Sequence, residues 1–472
     1  MDESLDVPVT PLQRPDGGIL IADAAIVCVD DDFTVLDPGW LHIVDDRIVA
    51  MGEGAPPDGL AGRVGRVIDA EGSAVMPGMT NGHTHLFQTF FRGLADDKPL
   101  LEWLHDCIWP AAVHLDHTSA RLSALVGMIE NLRTGATSVI DHQYIHVDES
   151  IDEGVCSAAA DTGLRFLLAR GWTDRNYDPG LLEPVDLVLE RAERVRTRWQ
   201  DHDGGRIRIE LAPVVPYACS DEGMVTTVEW ARSFGAGTHI HCAETKVEVD
   251  MSLEERGVRH VEWMDNLGLL GPDTQLAHSI WLDDSELDLI AERGASVVHC
   301  PVSNMYLASG VPRILDMRAR GINIALASDG PGSNNRQDMF EVLKATVLLQ
   351  KIHHTDAFVL QPEDAITMAC RHGAVTFGDP EVTGTIEVGA KADLVVVDLD
   401  SVFTAPVHRV PSALVFCATP ANVSHTIVDG RVLIDDGRVT MLDEGALIEA
   451  ARRSARQVFE RAEVDTRLRR RR

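Results

Sequence analysis

Between residues 74 and 328 short apolar runs alternate with longer segments of helical periodicity. The apolar runs begin at residues 74, 137, 165, 207, 238, 275, 296 and 322. They are rich in Val, Ile, Leu and Ala without strict alternation, the pattern of strands buried on both faces. The segments 118–134, 149–162, 183–200, 221–234, 258–268, 283–293 and 311–319 instead repeat apolar residues at helical spacing among charged ones, and the first stops at Gly135. Eight alternating βα units predict an α/β chain whose parallel strands close into a (β/α)8 TIM barrel rather than an open doubly wound sheet.

The ends have a different texture. Ala25–Val29 reads as a strand, and Trp40–Val44 turns through Asp45-Asp46 into Arg47–Met51. Late in the chain Ala392–Leu399 reads as another strand, and Asp429-Gly430 and Asp436-Gly437 supply hairpin turns around Arg431–Ile434. These flanks predict a small β-sandwich domain assembled from both chain termini. The expected boundaries are 1–75 for its N-terminal part, 76–380 for the barrel and 381–445 for its C-terminal part. Residues 446–472 are expected to form a C-terminal helix and an Arg-rich tail.

The 472 residues carry a formal net charge of −32, which argues against nucleic-acid or anionic-membrane partners. The run Arg467–Arg472 is the basic exception and reads as a solvated tail. Only 5 of 42 basic residues are lysine, a balance suited to a high-salt interior where screening relieves self-repulsion. No apolar run reaches the roughly 20 residues a membrane span needs, and the acidic start lacks a signal pattern, so a cytoplasmic location is expected. The 8 cysteines are scattered without a CxxC pair, which suggests neither a disulfide framework nor a thiolate metal site.

Candidate chemistry starts at His83-Thr-His85, directly after an apolar run. Alternate residues of a strand project the same way, so the two imidazoles can close on one cation. His241, His278 and Asp329 each follow a later apolar run. In a barrel the C-terminal strand ends converge on one face, which would bring these five together. A set of imidazoles and one carboxylate suits one divalent metal, Zn²⁺ ahead of Fe²⁺, whose bound water acidifies toward a pKa of about 7. Glu244, three residues past His241, is placed to carry a proton from water to a leaving group. His278 could orient the nucleophile or polarise the substrate instead of ligating. Taken singly, any of these histidines could be structural and Asp329-Gly330 a simple turn; their shared position at strand ends carries the argument.

The motifs Pro77-Gly-Met-Thr-Asn-Gly-His-Thr-His85, His241-Cys-Ala-Glu-Thr245, Leu276-Ala-His278, His299-Cys-Pro-Val-Ser-Asn304, Ser328-Asp-Gly-Pro-Gly-Ser-Asn-Asn335 and Gly384-Thr-Ile-Glu-Val-Gly-Ala-Lys-Ala-Asp-Leu394 resemble the amidohydrolase superfamily. The resemblance extends over about residues 20–440, to the branch holding methylthioadenosine/S-adenosylhomocysteine deaminases, 8-oxoguanine and guanine deaminases, and triazine hydrolases. It implies His83, His85, His241 and Asp329 as metal ligands, with Glu244, His278 and Asp329 catalytic. It implies hydrolytic loss of ammonia from an N-heteroaromatic ring such as a purine, oxopurine or pterin. The alternatives are a methylthioadenosine/S-adenosylhomocysteine-type nucleoside deaminase and a triazine chlorohydrolase or alkylaminohydrolase. A binding protein that has lost catalysis would lack a ligand or the proton carrier, and none is missing. Superfamily members with two metals use a carboxylated lysine on the fourth strand. No lysine lies between Lys98 and Lys246, which favours a single metal.

By the same analogy Gln88, Trp109, Arg170, Asn304, Tyr306 and His142 would contact a small heterocyclic substrate, and the chain would be a homo-oligomer. One departure concerns the sugar. Adenosine-type members carry a ribose-binding Glu shortly after a Trp-Leu…Pro segment; here the segment is Trp103–Pro110 and the matching residue is Ala112. Asp141-His-Gln-Tyr144 resembles the hydroxytriazine and oxopurine members, so a free base is expected at least as readily as a nucleoside.

Overall fold

The computed structural model describes residues 5–94, 96–379 and 381–464. The acidic start and the Arg467–Arg472 run lie outside them. Five strands open the chain: β1 (Ile19–Val27), β2 (Val35–Val44), β3 (Arg47–Glu53), β4 (Arg66–Asp69) and β5 (Ser73–Pro77). Eight more follow: β6 (Met79–Thr84), β7 (Ala136–Gln143), β8 (Arg165–Trp172), β9 (Ile207–Pro213), β10 (Thr238–Cys242), β11 (Thr274–His278), β12 (Ser296–His299) and β13 (Ile324–Leu326). β14 (Leu394–Asp398), β15 (Val423–Val428), β16 (Arg431–Asp435) and β17 (Arg438–Val439) end the series.

Strands β6 to β13 lie side by side in sequence order and run parallel. Just past β13 the chain returns to β6. The Asp329 amide donates to the His83 carbonyl at 3.0 Å, and the Ser328 amide donates to Asn81 Oδ1 at 3.0 Å. These bonds draw the eighth strand against the first, giving the expected barrel. Its strands are buried on both faces, as parallel strands under a ring of helices must be.

The first strand of the barrel needs correcting. The apolar run Ala74–Pro77 belongs to the terminal sheet, where β5 pairs with β1 in parallel and with β14 antiparallel. The barrel begins at Met79–Thr84, a more polar stretch that hydropathy passes over because its buried side chains serve the site. Gly78 joins the two, and a Cβ there would sit 2.1 Å from Thr137 Oγ1, so only glycine fits.

The two ends of the chain build one nine-stranded mixed sheet, ordered β17-β16-β15-β14-β5-β1-β2-β3 with β4 on β1. It curls on itself: the Ile48 amide donates to the Ala390 carbonyl at 3.0 Å and the Gly389 amide to the Ile48 carbonyl at 2.8 Å. Ile21, Ile26, Leu41, Ile43, Val75, Leu394 and Ile427 share its core. Arg165 of β8 ties barrel to sheet by reaching both Asp393 and Asp429 with its guanidinium almost fully buried.

Each expected helix forms. Extra helices appear at Lys246–Arg256 after β10 and at Met339–His354 after β13, and the C-terminal helix spans Glu444–Arg461. Side-chain caps start several of them, including Thr245 with Glu248 and Asp283 with Glu286 in reciprocal capping boxes. Among the described residues no helix is long and apolar enough to cross a membrane, and all eight cysteines are unpaired.

Candidate active site

β6 delivers His83 to the C-terminal mouth, and His85 follows in the first turn beyond it. β10 supplies His241, β11 ends at His278, and Asp329 lies just past β13. The backbone is bent to present them. His278 and Asp329 have φ of 66° and 63°, and Ala243 of 46°, a left-handed conformation that costs a non-glycine residue about 1–3 kcal/mol. Such strain persists only where the surroundings impose it.

The geometry converges on one point. Asp329 Oδ1 is 3.4 Å from Nε2 of both His83 and His85, and His241 Nε2 is 3.3 Å from His85 Nε2. The opposite ring nitrogens are occupied. His85 Nδ1 meets the His142 carbonyl at 2.7 Å, and His241 Nδ1 the Val214 carbonyl at 2.6 Å. A carbonyl only accepts, so each Nδ1 carries the proton and each Nε2 is left with a lone pair. Burial holds the His83, His85 and His241 pKa values below the usual histidine range, so these rings are neutral.

Two lone pairs facing each other at 3.3 Å repel unless a cation lies between them. Donor atoms about 2.1 Å from a tetrahedral ion are separated by roughly 3.4 Å, which is the spacing found. His83 Nε2 is buried without a hydrogen-bond partner, as a nitrogen reserved for a metal would be. The donor set thus fits a divalent cation. Two overlapping histidine groups also satisfy the spacing for a metal, His83 with His241 and His278, and His83 with His85 and His142. The set containing Asp329 is preferred because it supplies a charge. Its carboxylate is held well below the ordinary aspartate range; burial opposes this, and His83, His278 and His85 outweigh it.

Acid–base groups stand beside this cluster. His278 Nε2 lies 3.5 Å from Glu244 Oε2 and 4.0 Å from Asp329 Oδ2, and its Nδ1 is held by Asn304 Oδ1 at 2.9 Å. Burial lowers the His278 pKa, but the neighbouring carboxylates raise it further, so it sits above the usual value. Burial raises the Glu244 carboxyl against the pull of His278, and Ser309 Oγ donates to it at 2.9 Å. Ser303 and Ser333 donate to Asp329 Oδ2 at 2.6 and 3.1 Å.

These groups open into a cavity with about 450 Å³ of empty space. It is lined by His85, Gln88, Leu100, Trp103, Leu104, Tyr144, Tyr177, Val214, Val215, Tyr217, His241, Glu244, Glu248, His278, Leu307, Asp329 and Ser333. Neither arginine nor lysine is among them. Gln88 donates to the Tyr144 hydroxyl at 3.0 Å and accepts from the Gly332 amide at 3.2 Å. A Cβ at residue 330 would fall 2.1 Å from Gln88 Oε1, so Gly330 keeps that position open.

Of the six expected substrate contacts, only Gln88 lines the cavity. Arg170 does not line it: its buried guanidinium pairs with Asp152 at 2.8 Å and Glu183 at 3.0 Å. Trp109 packs edge-on against Tyr177, and the Tyr306 hydroxyl donates to Asp96 at 2.6 Å. Asn304 orients His278, and His142 stacks beside His241 with ring centroids 4.8 Å apart. Ala112 is fully buried and outside the lining, whereas Trp103 and Leu104 from the same segment are in it. The sequence reading passed over Tyr177, Tyr217 and Glu248. Tyr217 follows β9 and Glu248 follows β10 on the mouth side, which is the one signal that could have found them.

Residues 74–433 match the amidohydrolase family. The chain belongs to that family. As an amidohydrolase it is 37% identical over 445 residues to the 5′-deoxyadenosine deaminase of Methanosarcina acetivorans, covering 94% of this chain and 99% of that one. It is 38% identical over 434 residues to the 5-methylthioadenosine/S-adenosylhomocysteine deaminase of Halobacterium salinarum, covering 91% and 96%. A zinc-bound adenosine deaminase structure from Xanthomonas campestris superposes with a TM-score of 0.87 at 29% identity, covering 94% and 99%. The Escherichia coli guanine deaminase shares the fold, with a TM-score of 0.77 at 21% identity over 89% of this chain and 99% of that one.

Proposed function

We propose that the protein is a metal-dependent hydrolytic deaminase of an amino-substituted N-heteroaromatic ring, and that the adenine of an uncharged adenosine-type nucleoside is its best substrate. The observation that carries the reaction is the convergence of the Nε2 atoms of His83, His85 and His241 on the Asp329 carboxylate beside a buried Glu244–His278 pair. His83, His85, His241 and Asp329 would hold one divalent cation, Zn²⁺ before Fe²⁺. Such a cation supplies Lewis acidity, bringing the pKa of water toward neutrality.

The protein's own groups carry the protons. Asp329 Oδ2, facing His278 and fastened by Ser303 and Ser333, is placed to take a proton from the attacking water. Glu244, with its pKa raised by burial, is placed to protonate the ring nitrogen; Asp329 passes its proton to the departing amine, and the remaining proton of the water, released as the carbonyl forms, restores Glu244. His278, fixed by Asn304, hydrogen-bonds the developing charge at the attacked carbon. Trp103, Tyr144 and Tyr217 offer flat apolar faces to the heterocycle.

The relatives' substrates and the lining together favour a nucleoside over a free base. Glu248 offers a carboxyl in the cavity as an acceptor for sugar hydroxyls, which makes a Glu in place of Ala112 unnecessary. The lining holds no arginine or lysine, so the carboxylate of a substrate's amino-acid tail would be buried there without a guanidinium or ammonium partner. 5′-Deoxyadenosine and methylthioadenosine, which carry no such tail, should therefore be deaminated with kcat/KM at least about tenfold above that for the zwitterionic S-adenosylhomocysteine, a difference of about 1.4 kcal/mol. Equal rates on all three, or turnover of purine bases alone, would overturn this choice of substrate.

A further inference from the structure

The His83 imidazole differs from its neighbours in what holds its second nitrogen. His85 and His241 rest on backbone carbonyls, which accept and never donate. His83 Nδ1 instead meets another imidazole, His239 Nε2, at 2.7 Å. The two rings are inclined by only 8°, the alignment a ring N–H needs to point along a ring lone pair. An imidazole can donate or accept, so this contact alone leaves open which nitrogen of His83 carries the proton.

The next links decide it. His239 Nδ1 lies 2.7 Å from Gln275 Oε1, and Gln275 Nε2 lies 3.4 Å from Glu210 Oε2. The amide nitrogen only donates, and it faces the carboxyl. The amide oxygen only accepts, so His239 must hold its proton on Nδ1. His239 Nε2 is then a lone pair and can only accept from His83 Nδ1, which leaves His83 Nε2 deprotonated toward the cluster with Asp329. All four residues are buried. Were Gln275 turned over, its amide would face His239 and its oxygen would face Glu210, two acceptors opposed once that carboxyl is ionised; burial pushes Glu210 up to about 8, so the direction of the relay is fixed above that pH.

We propose that His239, Gln275 and Glu210 form a one-way hydrogen-bond relay through the barrel interior that fixes the His83 tautomer and its metal-facing lone pair, making His239 and Gln275 positioning residues for the metal site. The relay runs from β6 across β10 and β11 to β9 and ends where Glu210 and Gln275 line a second cavity, together with Arg208, Asp273 and Phe377. It rests on the metal reading above, but its effect on His83 exists without the metal. A partner accepting from a ligand imidazole raises that ligand's basicity, and losing such a partner lowers metal affinity about 10–100-fold.

The test uses the full-length protein with His239→Phe, Gln275→Leu and His239→Gln. The last keeps an acceptor toward His83 and a donor toward Gln275. Zn²⁺ dissociation constants come from chelator competition. The absorption of the Co²⁺-substituted protein reports the ligand field, and ¹⁵N-histidine spectra of the metal-free protein report the His83 tautomer. Expected are a 10–100-fold weaker Zn²⁺ constant and an altered Co²⁺ spectrum for His239→Phe, a smaller loss for Gln275→Leu, and near-parent values for His239→Gln. Above the Glu210 pKa of about 8, the metal-free parent should show His83 protonated on Nδ1. Should His239→Phe fail to fold, Gln275→Leu and the tautomer decide. Parent-like affinity and spectrum in Gln275→Leu, or His83 protonated on Nε2 in the metal-free parent, would overturn the relay. A correct His83 tautomer in a parent that binds no Zn²⁺ would overturn the metal reading and with it the relay's role at the metal.

Discussion

At the scale of single residues, the division between holding the cation and moving protons can be separated by substitution. Glu244→Gln keeps the shape and the Ser309 contact but removes the ionisable proton, so metal content should stay at the parent level while turnover falls about 10²–10⁴-fold. Asp329→Ala removes the charged member of the donor set and should lose metal and activity together. Metal analysis alongside initial rates checks both, and full activity in Glu244→Gln, or retained metal in Asp329→Ala, would contradict the assignment. These candidates stand out in the sequence because metal and acid–base chemistry demand scarce residue types, and each lies at or just past the end of a barrel strand. Arg170 misled for a physical reason. Its partners Asp152 and Glu183 lie in separate segments, and nothing local shows that its charge is already spent. Glu248 was hidden the other way: a helix-capping carboxylate looks complete in sequence, yet it also lines the cavity.

At the scale of elements, periodicity located the strands that hydropathy marks and missed the one that function marks. β6 buries Thr80, Asn81, His83 and Thr84, so its burial is that of polar and not of apolar side chains. The neighbouring Ser73–Pro77 run, apolar throughout its middle, belongs to the terminal sheet. That sheet is fastened to the barrel by buried charge. Arg165 satisfies Asp393 and Asp429 together, with Lys391 a further 3.2 Å contact of Asp429. Arg165→Met would leave the Asp393 carboxyl buried without its cation, at a cost of about 3–5 kcal/mol. A clearly lowered thermal midpoint with unaltered metal content is expected, and an unchanged midpoint would show that the link contributes nothing to the joint. No sequence pattern revealed this joint, because its members lie more than 200 positions apart.

Over the whole molecule, charge and shape point to the same class of substrate. The chain carries a formal net charge of −32, and Glu244, Glu248 and Asp329 line the cavity with no arginine or lysine among them. The net negative charge of the chain disfavours the approach of anions, and a substrate carboxylate finds no arginine or lysine once inside. The barrel, the terminal sheet and the strand-end cluster were all legible in the sequence, whereas the cavity walls come from loops whose course local patterns do not fix. The central claim is that the cluster at the barrel mouth holds a metal that drives deamination. It is tested most directly by ammonia release from 5′-deoxyadenosine, measured with the same protein before chelation, after chelation and after Zn²⁺ is restored. Release that stops on chelation and returns at about one Zn²⁺ per chain is the predicted result. Release that continues unchanged in the metal-free protein, or none from any amino-heterocycle at full metal occupancy, would contradict it.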